Sequence, residues 1–213
     1  MIPGIGITTA LPGTYLFVAV GQGPNSIAYS GNGLDWTGLG QSVFSLSANW
    51  VAWNGTMWVA VGQGTNTIAY SYNGINWTGI GSNIFSVYGV GIAWNGTMWV
   101  AVGEGTNAIA YSYDGINWTG LGTNIFSWGH KVAWNGTMWV ATGSPTNAIA
   151  YSYDGINWTG LGYDIFGQNG YGLGVAWNGS MWVVVGSGAN SIGYSSDGIN
   201  WTGLGTGIFS SGH

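Results

Sequence analysis

The fold is decided by the stretch from Val90 to Gly120, which reads VGIAWNGTMWVAVGEGTNAIAYSYDGINWTG. It contains two tight-turn signals, Asn95-Gly96 and Asp114-Gly115, each lying between runs of β-branched, aromatic and other apolar residues. Such dipeptides between such runs favour β-hairpins, and Asn-Gly favours a type I′ turn with positive φ at both central residues. We therefore predict four short strands, over residues 92–94, 98–102, 108–112 and 116–119.

The same pattern recurs along all 213 residues of the chain. The tryptophan of an Asn/Asp-Trp-Thr-Gly tetrapeptide marks a period of 40 to 43 residues and falls at Trp36, Trp77, Trp118, Trp158 and Trp201. Four antiparallel strands repeated at this period are typical of a β-propeller. We predict an all-β, five-bladed β-propeller with four antiparallel strands per blade, in one domain over 1–213. The approximate blades are 1–46, 47–87, 88–128, 129–170 and 171–213, and the alternative is an open or domain-swapped arrangement of the same blades.

The second and third strands of each repeat are largely apolar on both faces, so they belong inside a stack of sheets. We predict that one tryptophan per later repeat packs in this stack, namely Trp58, Trp99, Trp139 and Trp182. A phenylalanine recurs in each connection between repeats, at Phe44, Phe85, Phe126, Phe166 and Phe209. We expect these side chains to be apolar plugs, with Ile208 and Phe209 packing against the first blade.

The composition excludes several classes of function. Only 3% of the residues are charged, with one Lys (Lys131), no Arg and a formal net charge of −5. A nucleic-acid partner would need a basic surface, so none is predicted. The absence of Cys removes thiol chemistry, and two His leave little for a metal; we predict no catalytic residue, no metal and no cofactor. No apolar run approaches the ~20 residues of a membrane helix, so membrane insertion is not expected.

The turn between the third and fourth strands reads Ser-x-Asp/Asn-Gly in all five repeats and is followed by the periodic tryptophan. This sequence resembles the Asp-box of sialidase-type (BNR) propellers, shortened by one residue. The resemblance implies a structural role, in which the carboxylate or amide caps its own turn and the tryptophan packs between strands. The matching residues are Asn32, Asn73, Asp114, Asp154 and Asp197, followed by Trp36, Trp77, Trp118, Trp158 and Trp201.

The same resemblance implies no sialidase activity, because that family holds the substrate carboxylate with arginines and this chain has none. General acid–base catalysis would need a positioned pair of titratable groups. The aspartates of the repeated turns lie in different blades, and Glu104, Asp35 and Asp164 each occur in a single repeat. We therefore expect a protein that is not an enzyme. The one cationic spot, His130-Lys131, is expected in a solvated loop.

Two sets of residues are candidates for binding a ligand. One asparagine is common to every repeat, in the loop after the second strand, and it is either a turn residue or a repeated binding subsite; the set is Asn25, Asn66, Asn107, Asn147 and Asn190. A tyrosine projects from the second turn of three repeats and could stack on a sugar ring; these are Tyr72, Tyr113 and Tyr153, whereas Gly31 and Ser196 interrupt the pattern.

Two classes of function remain. The architecture is similar to that of tachylectin-type lectins, and it implies a non-enzymatic, multivalent protein that binds neutral carbohydrate through repeated sites. The alternative is a structural or surface repeat protein with no small-molecule ligand, because the repeats also resemble those of uncharacterised viral and environmental proteins. No signal peptide is seen, an extracellular or virion surface is favoured, and self-association is possible because so little charge opposes it.

Overall fold

The computed structural model describes residues 5–9 and 15–212, which form five consecutive units of four strands. Unit one holds β1 (Ile5–Thr9), β2 (Tyr15–Val20), β3 (Ile27–Ser30) and β4 (Thr37–Gly38). Unit two holds β5 (Ser47–Trp53), β6 (Trp58–Gln63), β7 (Ile68–Ser71) and β8 (Thr78–Gly79). Unit three holds β9 (Tyr88–Trp94), β10 (Trp99–Glu104), β11 (Ile109–Ser112) and β12 (Thr119–Gly120). Unit four holds β13 (Trp128–Trp134), β14 (Trp139–Ser144), β15 (Ile149–Ser152) and β16 (Thr159–Gly160), and unit five holds β17 (Tyr171–Trp177), β18 (Trp182–Ser187), β19 (Ile192–Ser195) and β20 (Thr202–Gly203).

Within each unit the strands pair antiparallel in chain order. In unit three Trp94 lies opposite Trp99, which in turn lies opposite Ser112 on the next strand. Successive units are in contact through their first strands, in the order β1, β5, β9, β13 and β17. The prediction of an all-β protein with repeated antiparallel strands is confirmed.

The Asn-Gly hairpin between the first and second strands forms, but the predicted type I′ geometry is wrong. Positive φ occurs only at the glycine, for example Gly96 at 103°. The asparagine is instead the first residue of the turn. The Asn95 backbone N–H donates to Met98 O at 3.1 Å, and the Asn95 Oδ1 atom accepts the backbone N–H groups of Thr97 and Met98 at 2.9 and 2.7 Å. The Asn95 side chain thus accepts the N–H groups of this turn, whereas in a type I′ turn a backbone carbonyl would accept them.

The fourth strand of each unit is shorter than predicted. In unit three it comprises only Thr119 and Gly120, whereas residues 116 and 117 belong to the preceding turn. Their backbone N–H groups donate to Asp114 Oδ1 and are therefore not free to pair with the neighbouring strand. A side-chain cap has replaced ladder hydrogen bonds at this place, as Asp and Asn residues commonly do.

The core lies between the units. Between units two and three, Val59, Val61 and Ile68 of the earlier unit pack against Trp99 and Ala101 of the later one. The tryptophans predicted to pack in the stack are fully buried in units two to five, at Trp58, Trp99, Trp139 and Trp182. The connection phenylalanines join these clusters and are also fully buried at Phe44, Phe85, Phe126 and Phe166.

The fifth connection differs from the other four. Phe209 is 50% exposed and Ile208 is 72% exposed. Our expectation that these two side chains pack against the first unit is therefore not met within the single chain. Within residues 5–9 and 15–212, the contact that each earlier unit makes with its successor has no counterpart at Phe209 and Ile208.

Candidate functional site

The repeated turn after the third strand is organised by two side chains. In unit three, Ser112 Oγ accepts the backbone N–H of Gly115 at 2.8 Å and donates its hydroxyl to Asp114 Oδ1 at 3.0 Å. The Asp114 Oδ1 atom also accepts the backbone N–H groups of Ile116 and Asn117 at 2.9 and 2.7 Å. The residues predicted to cap this turn are therefore placed as caps, in all five units.

The periodic tryptophan closes the same turn. Its indole N–H donates to the carbonyl of the turn glycine at 3.0 to 3.2 Å in every unit, as Trp118 does to Gly115. The ring is half-buried in units two to five and is 41% exposed at Trp36 in unit one. The indole therefore packs against its own turn, and its polar edge is already engaged.

The acidic group of this turn can occupy either of two positions. In units three to five the third residue of the turn is Asp and the sixth is Asn, and Asn117 Nδ2 donates to Asp114 Oδ2 at 2.7 Å. In unit one the two residues are exchanged, and Asn32 Nδ2 donates to Asp35 Oδ2 at 2.8 Å. Asp35 therefore has the role in unit one that Asp114 has in unit three, because its carboxylate accepts the hydrogen bond from the asparagine amide of the turn. The exchange explains why an aspartate at this position occurs in a single repeat.

Hydrogen bonds also control the ionisation of these turns. The backbone N–H and the side chain of Asn157 hold the pKa of Asp154 well below its usual range. The side chain and backbone of Asn200 do the same for the pKa of Asp197. At Asp114 partial desolvation opposes the shift, but hydrogen bonds from Asn117 still lower the pKa. These carboxylates stay ionised at neutral pH and are engaged in caps, so they have no proton to donate as general acids.

The three predicted tyrosine platforms are exposed and alike. Tyr72, Tyr113 and Tyr153 are 63–64% exposed, at one position in three consecutive units. Each ring stands nearly perpendicular to the ring of the tyrosine two residues earlier, with centroids 5.9 Å apart and planes at 78–79°, in the pairs Tyr70–Tyr72, Tyr111–Tyr113 and Tyr151–Tyr153. The edge-to-face contact supports the outer ring and leaves much of its surface open to a ligand.

The asparagine common to every unit forms a clasp between three segments. Asn107 Oδ1 accepts the backbone N–H of Gly122 in the loop after β12, at 2.8 Å. Its Nδ2 donates to Ile84 O, in the connection from unit two, at 2.8 Å. Asn66 and Asn147 make the same two bonds. Asn190 does so with Ile165 O and Gly205 N.

The clasps favour the interpretation of these asparagines as structural residues. Each amide already serves two backbone groups, and its orientation is fixed by both. The glycine of the fourth strand makes room for it, because a Cβ at Gly120 would collide with the Asn107 amide. The same collision would occur at Gly38, Gly79, Gly160 and Gly203. The Thr-Gly pair after each periodic tryptophan is the sequence signal that could have revealed the clasp.

A cleft of about 370 Å³ lies between the outer parts of units four and five. Its lining includes the exposed carboxylate of Asp164, the amides of Asn190 and Asn200, and the half-buried Trp201 ring. Carboxylate and amide groups offer hydrogen-bond donors and acceptors, and the indole offers an apolar face. The cleft therefore suits a small polar ligand with an apolar face. The sequence analysis named Asn190 as a candidate by its repeat position and set Asp164 aside, because that residue occurs in one repeat only.

The cationic pair lies in the strand β13 and not in a solvated loop, so that prediction is wrong. Lys131 Nζ lies 3.7 Å from the centroid of the Trp50 ring, which belongs to unit two. Both side chains of the pair are half-buried. Burial lowers the pKa of Lys131 to about 8, and burial together with the charge of Lys131 lowers the pKa of His130 to about 4. At neutral pH the pair therefore carries one positive charge, on Lys131, held over an aromatic face.

Neither a metal site nor a membrane-spanning helix is found among residues 5–9 and 15–212. No group of three or more His, Asp or Glu side chains in these residues could hold a metal ion. No helix in the same part of the chain is long and apolar enough to cross a membrane. The polar features described above are the repeated turns, the clasps, the cleft and the Lys131–Trp50 contact.

Comparison with known proteins shows a likeness of fold. No family model matches the sequence, and no curated protein is similar to it. Among solved structures, virginiamycin B lyase from Staphylococcus aureus, in a catalytically inactive H270A form with quinupristin, aligns at a TM-score of 0.76 and 14% identity. The alignment covers 98% of this chain and 71% of the lyase.

Two further structures show the same likeness. A nidogen/laminin complex aligns at a TM-score of 0.65 and 14% identity, over 91% of this chain and 75% of that one. The protein YCF48 bound to D1 peptide aligns at 0.60 and 17% identity, over 94% of this chain and 65% of that one. These neighbours are β-propeller-type proteins, and this chain spans only part of each. The chain has a repeat fold of β-propeller type.

Proposed function

We propose that this protein is a non-enzymatic, multivalent binding protein that recognises neutral carbohydrate through repeated sites. In this proposal its five four-stranded units are the blades of a propeller, and the repeated Ser-x-Asp/Asn-Gly turns are Asp-boxes with a structural role. The observation that carries the proposal is the set of exposed tyrosines at one position in units two, three and four, Tyr72, Tyr113 and Tyr153.

The chemistry of these rings fits a sugar. A tyrosine held by a T-shaped contact with a neighbouring ring offers an apolar surface and a hydroxyl, at little cost in side-chain entropy. A pyranose ring has a matching apolar face and many hydroxyl groups. With one cation and six acids in the whole chain, the surface favours a neutral ligand over a charged one. Three weak sites on one rigid scaffold would gain avidity on a surface that carries many copies of the sugar.

The absence of catalysis is part of this proposal. The aspartates of the turns are ionised and engaged in caps. The three remaining acids are placed differently from one another. Asp35 accepts a hydrogen bond from Asn32, and Asp164 lines the cleft between units four and five. Glu104 lies opposite Tyr88, whose pKa is raised to about 12 by burial and by this carboxylate. Some neighbours in fold are enzymes by name, but the shared fold at 14–18% identity does not transfer their chemistry.

A glycan array followed by titration calorimetry tests the proposal. Unit five carries Ser196 where the tyrosines stand, so Tyr→Ser is a change that this turn already accommodates. We expect Tyr72→Ser, Tyr113→Ser and Tyr153→Ser each to remove one equivalent of bound sugar, and the triple variant to remove all three without loss of thermal stability. Tyr171→Ser, at an exposed tyrosine outside the turns, is the control and should change nothing.

Two results would contradict the proposal. One is the absence of binding across a broad array of neutral glycans. The other is a triple variant that binds with unchanged affinity and stoichiometry. In the latter case Asp164→Ala, with Asn124→Ala at the same repeat position in unit three as its control, would show whether the cleft between units four and five is the site.

A structural or surface role without a small ligand is the second candidate. It is favoured by the uncovered apolar residues of unit five, since Phe209 and Met181 remain exposed. The names of two similar structures mention partner proteins or peptides, laminin and D1 peptide, and a protein partner is compatible with this second candidate. Assembly into larger particles with no binding on the array would support it.

A further inference from the structure

The four contacts between successive units are copies of one interface. We call the face that a unit turns toward its successor its outgoing side, and the face that it turns toward its predecessor its incoming side. Each outgoing side contains a methionine or leucine, two residues of the second strand (at least one of them Val), an isoleucine and the phenylalanine of the connection. Between units two and three these residues are Met57, Val59, Val61, Ile68 and Phe85. On its incoming side, the later unit presents an aromatic ring and small residues, which between these units are Trp99, Ala101 and Ala110. Every one of these side chains is at most 3% exposed.

The outgoing side of unit five has the same composition and is not covered within the described residues. It comprises Met181, Val183, Val185, Ile192 and Phe209. Met181 is 37% exposed, whereas its equivalents Met57, Met98 and Met138 are 3–4% exposed. The two valines and the isoleucine are each half-buried, although their equivalents in unit three are at most 2% exposed. The outgoing side of unit five therefore resembles the buried outgoing sides of the earlier units, but no incoming side of another unit covers it within the described residues.

The incoming side of unit one has the composition of the missing partner surface, and it is also incompletely covered. Phe17 stands where the later units have a buried Trp, and Ala19 and Ala28 stand where units two to four have buried Ala. All three are half-buried in the structure. A phenylalanine carries no indole N–H, so this ring can be buried without a hydrogen-bond partner.

In unit one the asparagine Asn25 makes only one of the two clasp hydrogen bonds within the described residues. Asn25 Oδ1 accepts Gly40 N at 2.7 Å, as its equivalents do in their own units. Its Nδ2 makes no bond to the described residues that corresponds to those of Asn66 or Asn107. The carbonyl that corresponds by repeat position is that of Ile208, directly before the exposed Phe209. Pro24 lacks the N–H with which Thr65 bonds Ser45, so this junction would have one hydrogen bond fewer.

The segment after Phe209 already follows the path into a next unit. Ser211 pairs with Ser187, and Gly212 N donates to Gly186 O at 2.8 Å. The corresponding contacts at the first junction are Gln22 with Ser47, and Ala48 N with Gly21 O at 2.9 Å. Residues 211 and 212 therefore occupy the place at which a following first strand begins.

We propose that a second copy of this chain covers these faces, with unit one of one copy seated on unit five of the other. The occupant must offer an aromatic ring, two alanines, a glycine opposite Phe209 and an asparagine for Ile208 O. Phe17, Ala19, Ala28, Gly21 and Asn25 provide this set. The contact is heterologous, so copies add head to tail into a ring or a filament. Only 3% of the residues are charged, so little charge repulsion opposes it.

Sedimentation velocity or light scattering of the full chain tests this inference with two variants. Phe209→Glu disables the outgoing side and Ala28→Glu disables the incoming side. Leu46→Glu is the matched control, because Leu46 is 52% exposed, as Phe209 is 50% exposed, and it lies at neither face. We expect the wild type and the control to associate with rising concentration and each variant to remain at the monomer mass of 22.2 kDa.

An equimolar mixture of the two variants decides the geometry. Each variant retains one working face, so the mixture should form a dimer and nothing larger. A wild type that stays monomeric at every concentration, and that loses thermal stability on Phe209→Glu, would overturn the inference and show that the chain closes on itself. Unchanged association of both variants would overturn it as well, because another surface would then hold the copies together. None of these outcomes depends on sugar binding.

Discussion

The Asn107 clasp gives the sharpest test of how the units are held together. Asn107→Ala removes the acceptor of Gly122 N and the donor to Ile84 O, both bonded at 2.8 Å. A net contribution of about 1 kcal/mol for each such hydrogen bond gives a loss of about 2 kcal/mol in the free energy of unfolding. In a chain of this length that corresponds to a fall of about 4–8 °C in the unfolding temperature.

Asn25 provides a control of the same residue type at the same repeat position. Within the described residues it makes only the bond to Gly40 N, so Asn25→Ala should lose about 1 kcal/mol, half as much. Both variants should be made in the Phe209→Glu background, so that a contact between copies cannot supply Asn25 with a second bond. The measurement is the unfolding midpoint in urea and on heating, followed by circular dichroism.

The comparison would refute the clasp if Asn107→Ala unfolded at the wild-type midpoint, or if both variants lost the same stability. It also separates the two interpretations of the repeated asparagines. If Asn107 is a structural clasp, the Asn107→Ala variant loses stability, while any sugar affinity per folded molecule is unchanged. If Asn107 instead contacts a ligand, the variant loses sugar affinity and keeps the stability of the wild type. The two interpretations therefore predict opposite patterns in the same pair of experiments.

Three further outcomes follow from the turns and the clasp. Gly120→Ala drives a Cβ into the Asn107 amide, so its midpoint should fall at least as far as that of Asn107→Ala; a wild-type midpoint would contradict this. Asp154→Ala removes hydrogen bonds to the turn and should cost about 1–2 kcal/mol in denaturant unfolding. Asp154→Asn should cost much less, because Asn73 caps the same turn in unit two. Because hydrogen bonds lower the pKa of Asp154 and of Asp197 in the fold, their stabilisation is complete above the unfolded pKa of about 3.9. It should then decline as the pH falls below that value, and acid unfolding that is identical in a variant with both changed to Asn would refute the assignment.

The repeat and its turns made the architecture predictable from sequence. Asn-Gly and Asp-Gly dipeptides at fixed offsets located both hairpins of units two to five, and the period of about forty residues indicated the propeller type. What the dipeptides did not reveal was the role of the polar side chain. At Asn95 and Asp114 a side-chain oxygen accepts the turn's N–H groups. This changed the turn type at Asn95 and shortened the strand after Asp114.

The clasp could not be predicted because its partners are distant in sequence. Asn107 bonds Gly122, fifteen residues later, and Ile84, twenty-three residues earlier. The loop composition predicted a turn residue, and only the packing of two units reveals the second partner. The position of Lys131 was missed for a related reason. Its strand has no charge in the other repeats, and the Trp50 ring that it covers belongs to a unit two repeats earlier in the chain.

Repetition of one unit also bears on which surfaces are left to bind. Because the sides of the five units are similar in composition, composition alone does not fix which unit follows which. The order is set by covalent connection, since the chain itself fills the incoming sides of units two to five. Under the proposed association, the side around Phe209 and the side around Phe17 would meet because both are incompletely covered, and not because their composition differs from that of the other units. Only 3% of the residues are charged, so few charged side chains are present to oppose such a contact.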